Sequence, residues 1–329
     1  MASRLKLENK PSVSNIVRKD TGQSEESALL ETDLPAKLFK RGKVRDTYDI
    51  GDDKLLMIAT DRISAFDVVL QEGVPEKGRV LNKMSIFWFD HTKDIVKNHI
   101  ISDDTAKAFD GAEKYAEVLK DRSVIVTKAD PIPYEAVVRG YLAGSAWAEY
   151  KKSETVAGVK MPEGLQEGSK LPEIIFTPAT KNDQGHDVNI TFEELEKRLG
   201  KKMANELKEI STKLYKKASE HALEHGIIIA DTKFEFGIAK SDTETGIKKG
   251  DLILIDELFT PDSSRFWPAK DYAPGRPQPS FDKQYVRDHL ERLKWNKEPP
   301  APHLSEEVIA NTQQKYYEAY ERLTGMEIK

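Results

Sequence analysis

Short apolar runs separated by turn residues organise the first part of the chain. From Lys37, the segment KLFKRGKVRDTYDI and the run KLLMIATD read as extended, with GDD as the turn between them. They predict the start of a small antiparallel sheet. In LNKMSIFWFDHTKDIVKNHI, Met84, Phe87, Ile95 and Val96 recur at broadly helical spacing, which predicts a helix covering that sheet. Two further extended runs, VIVT and EAVVRGY, flank Pro131 and Pro133, where a helix cannot continue. A domain boundary is expected near those prolines.

The pattern then changes. Lys151 to Lys181 is rich in Gly, Pro and charge and reads as a long excursion outside the core. Thr191 and Glu194 form a capping box before a helix with Leu195, Leu199, Met203, Leu207, Ile210 and Leu214 on one face, ending near Gly226. IIIADTKFEFG and GDLILIDELF read as strands, Pro261 to Pro279 as coil, and 281–295 and 306–324 as helices. Ser305 is the expected N-cap of the last helix, with Val308, Ile309, Tyr316 and Tyr320 turned inward. The first 33 residues mix both charge signs and lack the apolar centre of a secretion signal, so a flexible lead-in is expected.

Composition narrows the class. A chain of 329 residues exceeds what a single core usually supports, which favours two units. A net charge of -5 provides no broad basic field for a phosphate backbone, so no nucleic-acid partner is expected. The absence of cysteine removes disulfides and thiolate metal sites and points to the cytoplasm. No apolar run approaches the ~18 residues that suggest a membrane span, so no membrane partner is expected either.

Candidate chemistry begins in GIIIADTKFEFG, residues 226–237. Period-two geometry sends Asp231, Lys233 and Glu235 to one face and Thr232, Phe234 and Phe236 to the other. The pattern alone leaves open a half-solvated strand or a charged face turned into a site. The next strand delivers Asp256 and Glu257 directly after LILI, and antiparallel pairing would bring Asp256 beside Glu235. Two carboxylates suit Mg²⁺, a hard cation that takes one or two of them and completes its shell with water and phosphate. A structural ion pair between Lys233 and Glu235 is the competing reading.

Other stretches suggest anion binding. RGKVRD sets Gly42 between Arg41 and the cations Lys43 and Arg45, a turn able to present N–H groups and an ammonium to a polyphosphate, or a plain surface hairpin. VVRGYLAGSAW combines Arg139 with Gly144 and Ser145, where an anion could meet a guanidinium and a hydroxyl. SSRFW and FDKQYVR add Arg265, Lys283 and Arg287, the last two equally readable as a solvated helix face. TKNDQGHD adds Lys181, His186 and Asp187. No Ser/His/Asp triad and no HExxH motif is evident.

Taken in order, IPYEAVVRGYLAGS and IADTKFEFG resemble the two signature segments of the SAICAR synthetase family, and RGKVRDTY, ATDRISAFD and DELFTPDSSRFW are similar to it as well. The similarity runs from about Leu38 to Arg287. Tyr134 departs from it, standing where the first signature usually has an aliphatic residue. The resemblance implies an α+β fold: a small N-terminal antiparallel β-sheet domain like a kinase N-lobe, and a larger ATP-grasp-like α+β domain. The expected division is 1–33 as lead-in, 34–130 as the ATP-binding unit and 131–329 as the substrate and metal unit.

The implied activity joins L-aspartate to the carboxylate of CAIR with ATP, giving SAICAR, ADP and phosphate, with an acyl phosphate as the expected activated form. By motif position, Glu235 and Asp256 would hold Mg²⁺, and Gly42, Lys43 and Arg45 would meet the ATP phosphates. Adenine would lie by the VTKADPIPYE connection that carries Lys128 and Glu135. Arg139, Ser145, Arg265, Lys283 and Arg287 would bind the anionic substrates. Lys181 and Asp187 would lie near the reacting groups, and Lys233 would tune the metal carboxylates or touch phosphate. Two rivals share part of this pattern: a kinase-like phosphotransferase, although HRD and DFG are absent in kinase order, and a non-catalytic ATP-binding sensor.

Overall fold

The computed structural model describes residues 18–19, 28–181 and 188–328. Strands β1 (Lys37–Arg41), β2 (Arg45–Asp49) and β3 (Lys54–Ala59) form an antiparallel meander. The hairpin of β4 (Arg62–Ala65) and β5 (Val68–Gly73) follows, then helix α1 (Lys77–His91). β6 (Ile100–Ser102) and β7 (Ser123–Thr127) complete a five-stranded sheet in the order β1-β2-β3-β7-β6. Tyr48, Leu56 and Ile58 point from one side of it into a small core, as strand alternation requires.

The second sheet begins with β8 (Ala129–Pro131) and β9 (Tyr134–Tyr141), followed by helix α2 (Gly144–Ser153). β10 (Lys170–Phe176), β11 (Ala179–Thr180) and β12 (Val188–Asn189) precede helices α3 (Phe192–Leu199) and α4 (Lys201–Glu224). Strand β13 (Ile227–Ala239) then pairs antiparallel with β8, β9, β14 (Leu252–Ile255) and β15 (Ser264–Pro268). The chain closes with α5 (Gln284–Arg292) and α6 (Glu306–Thr324). This is the α+β class with antiparallel sheets that the sequence predicts.

Several expected elements differ in extent or partner. The excursion at 151–181 contains β10, whose Leu171 and Phe176 are buried; Pro172 is tolerated because β10 pairs on one side only, with β9. The coil expected after Pro261 contains β15, which pairs with β13. The helix expected over 81–100 starts earlier and stops at His91, where the Thr92 hydroxyl and N–H both donate to the Trp88 carbonyl. Thr191 caps the helix as expected, accepting the Glu194 N–H at 3.1 Å, while the Glu194 carboxylate pairs with Arg198, and Gly200 at φ 83 splits the expected long helix into α3 and α4. Ser305 accepts the Val308 N–H as the expected N-cap.

The N-terminal lead-in is tied down at its end. Ala28 and Leu29 are buried, and Leu29 N–H donates to buried Asp61 at 2.7 Å. Helix α1 does more than cover the first sheet. Gly78 lets it lie against β3, where a Cβ would stand 2.2 Å from the Ala59 carbonyl oxygen. Val80, Leu81, Met84 and Trp88 meanwhile join the main core with Phe234, Phe236 and Phe259. A second core unites Ile63 and Leu70 of the β4–β5 hairpin with Val286 and Leu290 of α5 and Val308 of α6. Apolar packing therefore crosses Pro131 twice and fixes the two sheets against each other.

Candidate active site

A cleft of about 1320 Å³ runs between the two sheets. Its walls carry Gly42, Lys43, Arg45, Lys128, Glu135, Arg139, Lys181, Lys233, Glu235, Asp256, Arg265, Lys283 and Arg287. These are all but two, Ser145 and Asp187, of the residues to which the family resemblance gives a role. Ser145 joins through Arg139, and Asp187, with its neighbour His186, lies outside the described residues.

Strand β13 explains this convergence. Phe234 and Phe236 are buried in the main core and Thr232 is buried beside them, so alternation sends Asp231, Lys233 and Glu235 into the cleft. The charged face lines the cleft. Antiparallel register sets Glu235 opposite Ile255, which brings Asp256 to the neighbouring position at the end of β14. Asp256 has a left-handed backbone, φ 68, a conformation Asp tolerates better than most residues.

Cations secure both carboxylates. Arg45 donates from Nη1 to Asp256 at 3.0 Å and from Nη2 to Glu257 at 3.0 Å. Lys181 pairs with Glu235. Lys233 donates to Glu135 at 2.5 Å and lies 3.8 Å from Glu235; burial works against its charge, yet Glu135 and Glu235 raise its pKa well above the ordinary lysine value. Lys233 therefore bridges two acids, which refines the expected ion pair. Glu235 and Asp256 are two hard oxygen donors on adjacent strands. Among the described residues no cluster of three metal-ligating side chains occurs, but Mg²⁺ needs only one or two carboxylates beside water and phosphate, so the donor set fits it.

On the first sheet's side, the turn between β1 and β2 is held from behind by Arg62, which donates to the Gly42 carbonyl at 2.9 Å, the Lys43 carbonyl at 3.2 Å and Asp46 at 2.9 Å. The Gly42 N–H is taken by the Arg45 carbonyl at 2.7 Å. The turn therefore presents the Lys43 side chain to the cleft, while Gly42's own N–H points back into the loop. Lys43 pairs with Asp67, which sits with Phe66 at the tip of the β4–β5 hairpin, both at positive φ. Lys128 is bound at the rim by Asp49 at 2.9 Å.

The opposite wall is an anion-binding surface organised by one buried acid. Asp231 accepts from Arg139 Nη1 at 2.7 Å and Arg265 Nη1 at 2.6 Å. Arg139 is fixed further by Thr177 at 3.0 Å and Ser145 at 3.1 Å. Burial pushes the Asp231 carboxyl up, but Arg265 and Arg139 outweigh it and hold its pKa low. Two guanidiniums around one carboxylate leave donors over for a ligand oxygen.

Gly144 makes this possible at φ 55, since a Cβ there would stand 2.1 Å from Arg265 Nη2. Gly144→Ala should therefore push Arg265 off its position and lower kcat/KM by about ten- to a hundredfold. Steady-state kinetics beside a thermal melt would show it, and an unchanged kcat/KM would contradict this role for Arg265.

Several residues at the site carry no local sequence signal. Asp231 was visible as a charge but not as the pivot of two arginines that lie far from it and from each other in sequence. The Asp262 carboxylate is buried, accepting from Lys77 at 2.9 Å and from the Tyr316 hydroxyl at 2.7 Å. His99 is buried beside Asp256 with no partner for Nε2 among the described residues, and burial pushes its imidazole down to about 4, so it is neutral. Only the fold brings these groups together.

Residues 38–302 match the family model described as SAICAR synthetase. A phosphoribosylaminoimidazole-succinocarboxamide synthase from Thermodesulfovibrio yellowstonii is 52% identical over 300 residues, covering 91% of this chain and 99% of that protein. The solved structure of SAICAR-synthase from Saccharomyces cerevisiae complexed with SAICAR aligns with a TM-score of 0.81 at 42% identity, covering 91% of this chain and 99% of that one. A SAICAR synthetase (Type-2) in complex with ADP aligns with a TM-score of 0.62 at 28% identity, covering 88% and 99%.

Proposed function

The chain belongs to the SAICAR synthetase family, ATP-dependent ligases of purine biosynthesis, and on that premise we propose that its cleft joins L-aspartate to the carboxylate of CAIR, giving SAICAR, ADP and phosphate. One observation carries this reading. The Glu235 and Asp256 carboxylates lie between a cationic turn, with Lys43 and Arg45, and an arginine wall built on Asp231. A polyphosphate on one side and an anionic ribotide on the other would meet at those carboxylates. The relatives that carry SAICAR and ADP support the same two classes of ligand.

The chemical obstacle is the carboxylate of CAIR. Its charge is delocalised and oxide is a poor leaving group, so the amine of aspartate cannot displace it directly. Transfer of the γ-phosphoryl to a carboxylate oxygen gives an acyl phosphate, from which phosphate departs readily. Glu235 and Asp256 would hold Mg²⁺, which would offset the negative charge that develops during phosphoryl transfer.

The chain's own groups then have assignable tasks. Lys43 reaches the phosphates and Arg45 orients Asp256 through their ion pair. Gly42 shapes the turn, and Lys128 and Glu135 flank the connection against which adenine lies. Arg139, Ser145, Arg265 and Arg287 take the phosphate and carboxylates of CAIR and aspartate through charge-assisted hydrogen bonds. Lys233 and Lys181 offset charge between the carboxylates and the reacting group. Proximity within the cleft contributes as well, since effective molarities reach ~10⁵ M or more for well-oriented groups.

Residues 34–130 would form the nucleotide side and 131–329 the substrate and metal side, in a cytoplasmic enzyme. No helix among the described residues is long and apolar enough to cross a membrane. A coupled assay tests the function: ADP release should require CAIR and aspartate together. Release with CAIR replaced by another acceptor would indicate a kinase, and ATP binding without release would indicate a sensor.

A further inference from the structure

We propose that Lys283 is the base that accepts a proton from the aspartate ammonium, because the fold commits every carboxylate around it to another partner. This role rests on the acyl phosphate reading given above. L-Aspartate arrives with its α-amine protonated and therefore without a lone pair. A group on the cleft wall must take that proton before the amine can attack.

Lys283 lies on the cleft wall, half-buried, at the N-cap of α5. Its ammonium has no hydrogen-bond or ion-pair partner among the described residues, although three carboxylates lie close. Asp262 gives one oxygen to Lys77 at 2.9 Å and the other to Tyr316 at 2.7 Å. Glu257 accepts from Arg45 at 3.0 Å and from the Thr260 hydroxyl. Asp282 turns away to accept the backbone N–H groups of Phe266 at 2.9 Å and Gln284 at 2.7 Å.

The remaining charged neighbours are cations. Arg287 stands one helical turn on, and Lys77 holds the acid that would otherwise serve as counter-ion. A helix N-terminus disfavours positive charge as well. Burial, followed by the Arg287 and Lys77 charges and only partly offset by Asp262 and Glu257, lowers this lysine to about 8. A neutral fraction therefore exists near physiological pH; among the neighbouring acids burial raises the Asp282 carboxyl to about 6, but both its oxygens accept backbone N–H groups, and an amine near 8 is better matched to an ammonium proton. Elsewhere on the wall, Lys233 and Lys181 each touch a carboxylate.

The step balances as follows. The neutral Lys283 amine takes one proton from the aspartate ammonium and becomes an ammonium itself. The freed lone pair forms the C–N bond at the acyl phosphate carbon. The C–O bond to the phosphoryl group then breaks, and phosphate leaves with that electron pair and with the second proton of the amine nitrogen. Lys283 returns its proton to water through the open cleft. Arginine cannot serve in this cycle, because its guanidinium stays protonated.

Hydroxylamine separates this role from substrate binding. It is largely unprotonated at neutral pH, so it attacks an acyl phosphate without help from a base and gives a hydroxamate. For Lys283→Arg, aspartate-dependent turnover should fall about 10²- to 10⁴-fold relative to the same variant's hydroxylamine-dependent turnover with CAIR and ATP. In the parent, kcat/KM for aspartate should rise as the pH climbs through about 8, and the variant should lose that rise. Equal falls with both nucleophiles, or parent-like aspartate turnover in the variant, would overturn the assignment. If the parent enzyme itself forms no hydroxamate, the acyl phosphate reading fails and the role of Lys283 falls with it.

Discussion

Asp256→Asn should reduce turnover by about 10²- to 10⁴-fold, the range expected when a group that stabilises charge in the transition state is removed, with little change in thermal midpoint. Three features of the site separate activity from stability here. Asn tolerates the left-handed backbone that Asp256 adopts at φ 68. Arg45 keeps its second partner, Glu257, at 3.0 Å, so no buried guanidinium is orphaned. The lost Arg45–Asp256 pair is partly exposed and contributes modestly to stability. What disappears is one of two anionic oxygen donors for Mg²⁺, and a neutral amide is a weak substitute. Kinetics over a Mg²⁺ titration, beside a thermal melt, measure both effects; parent-like activity at ordinary Mg²⁺ would remove Asp256 from the metal site.

The largest stability effect belongs to Asp231→Asn. Asp231 is buried and receives Arg139 and Arg265 on the same oxygen, at 2.7 and 2.6 Å. Substitution keeps the shape and removes the negative charge that both guanidiniums contact, with Arg287 near enough to add to the repulsion. Breaking a buried pair in this way costs about 3–5 kcal/mol, and substrate binding should weaken as both arginines lose their pivot.

The pH dependence has a definite sign. Asp231 has a folded pKa below its unfolded value, so its stabilisation is complete above the ordinary carboxylate range and is lost as the pH falls below it. Chemical denaturation midpoints should show this acid limb in the parent and a weaker one in the variant. Equal midpoints at neutral pH would contradict the pivot role.

What could be read from the sequence follows physical range. Period-two alternation in IADTKFEFG separated Phe234 and Phe236 from Lys233 and Glu235 because a strand's two faces are a local property. The cap residues Thr191 and Ser305 were legible for the same reason. The pairing of Glu235 with the end of β14 needed only one antiparallel register between successive strands. By contrast, β10 was hidden because a Pro-containing strand paired on one side resembles a loop in sequence. The helix expected over 81–100 overran because Ile95 and Val96, though helically spaced, pack on the main core from beyond the helix end.

The chemistry that went unseen was non-local in every case. Arg139, Asp231 and Arg265 gather from three separate strands, β9, β13 and β15. Lys77, Asp262 and Tyr316 come from the start of α1, the loop after β14 and the middle of α6, and they decide whether Lys283 has a counter-ion. A residue-by-residue reading could mark Lys283 as a cation near substrate. Only its surroundings distinguish it from the paired lysines of the same cleft.

The central claim is that the cleft activates the carboxylate of CAIR by phosphorylation before aspartate attacks. With CAIR carrying heavy oxygen in that carboxylate, a single turnover in ordinary water with ATP and aspartate should deliver one labelled oxygen into the released phosphate. Phosphate released without the label would contradict the account, since its oxygen would then have come from water and CAIR would never have been the phosphoryl acceptor.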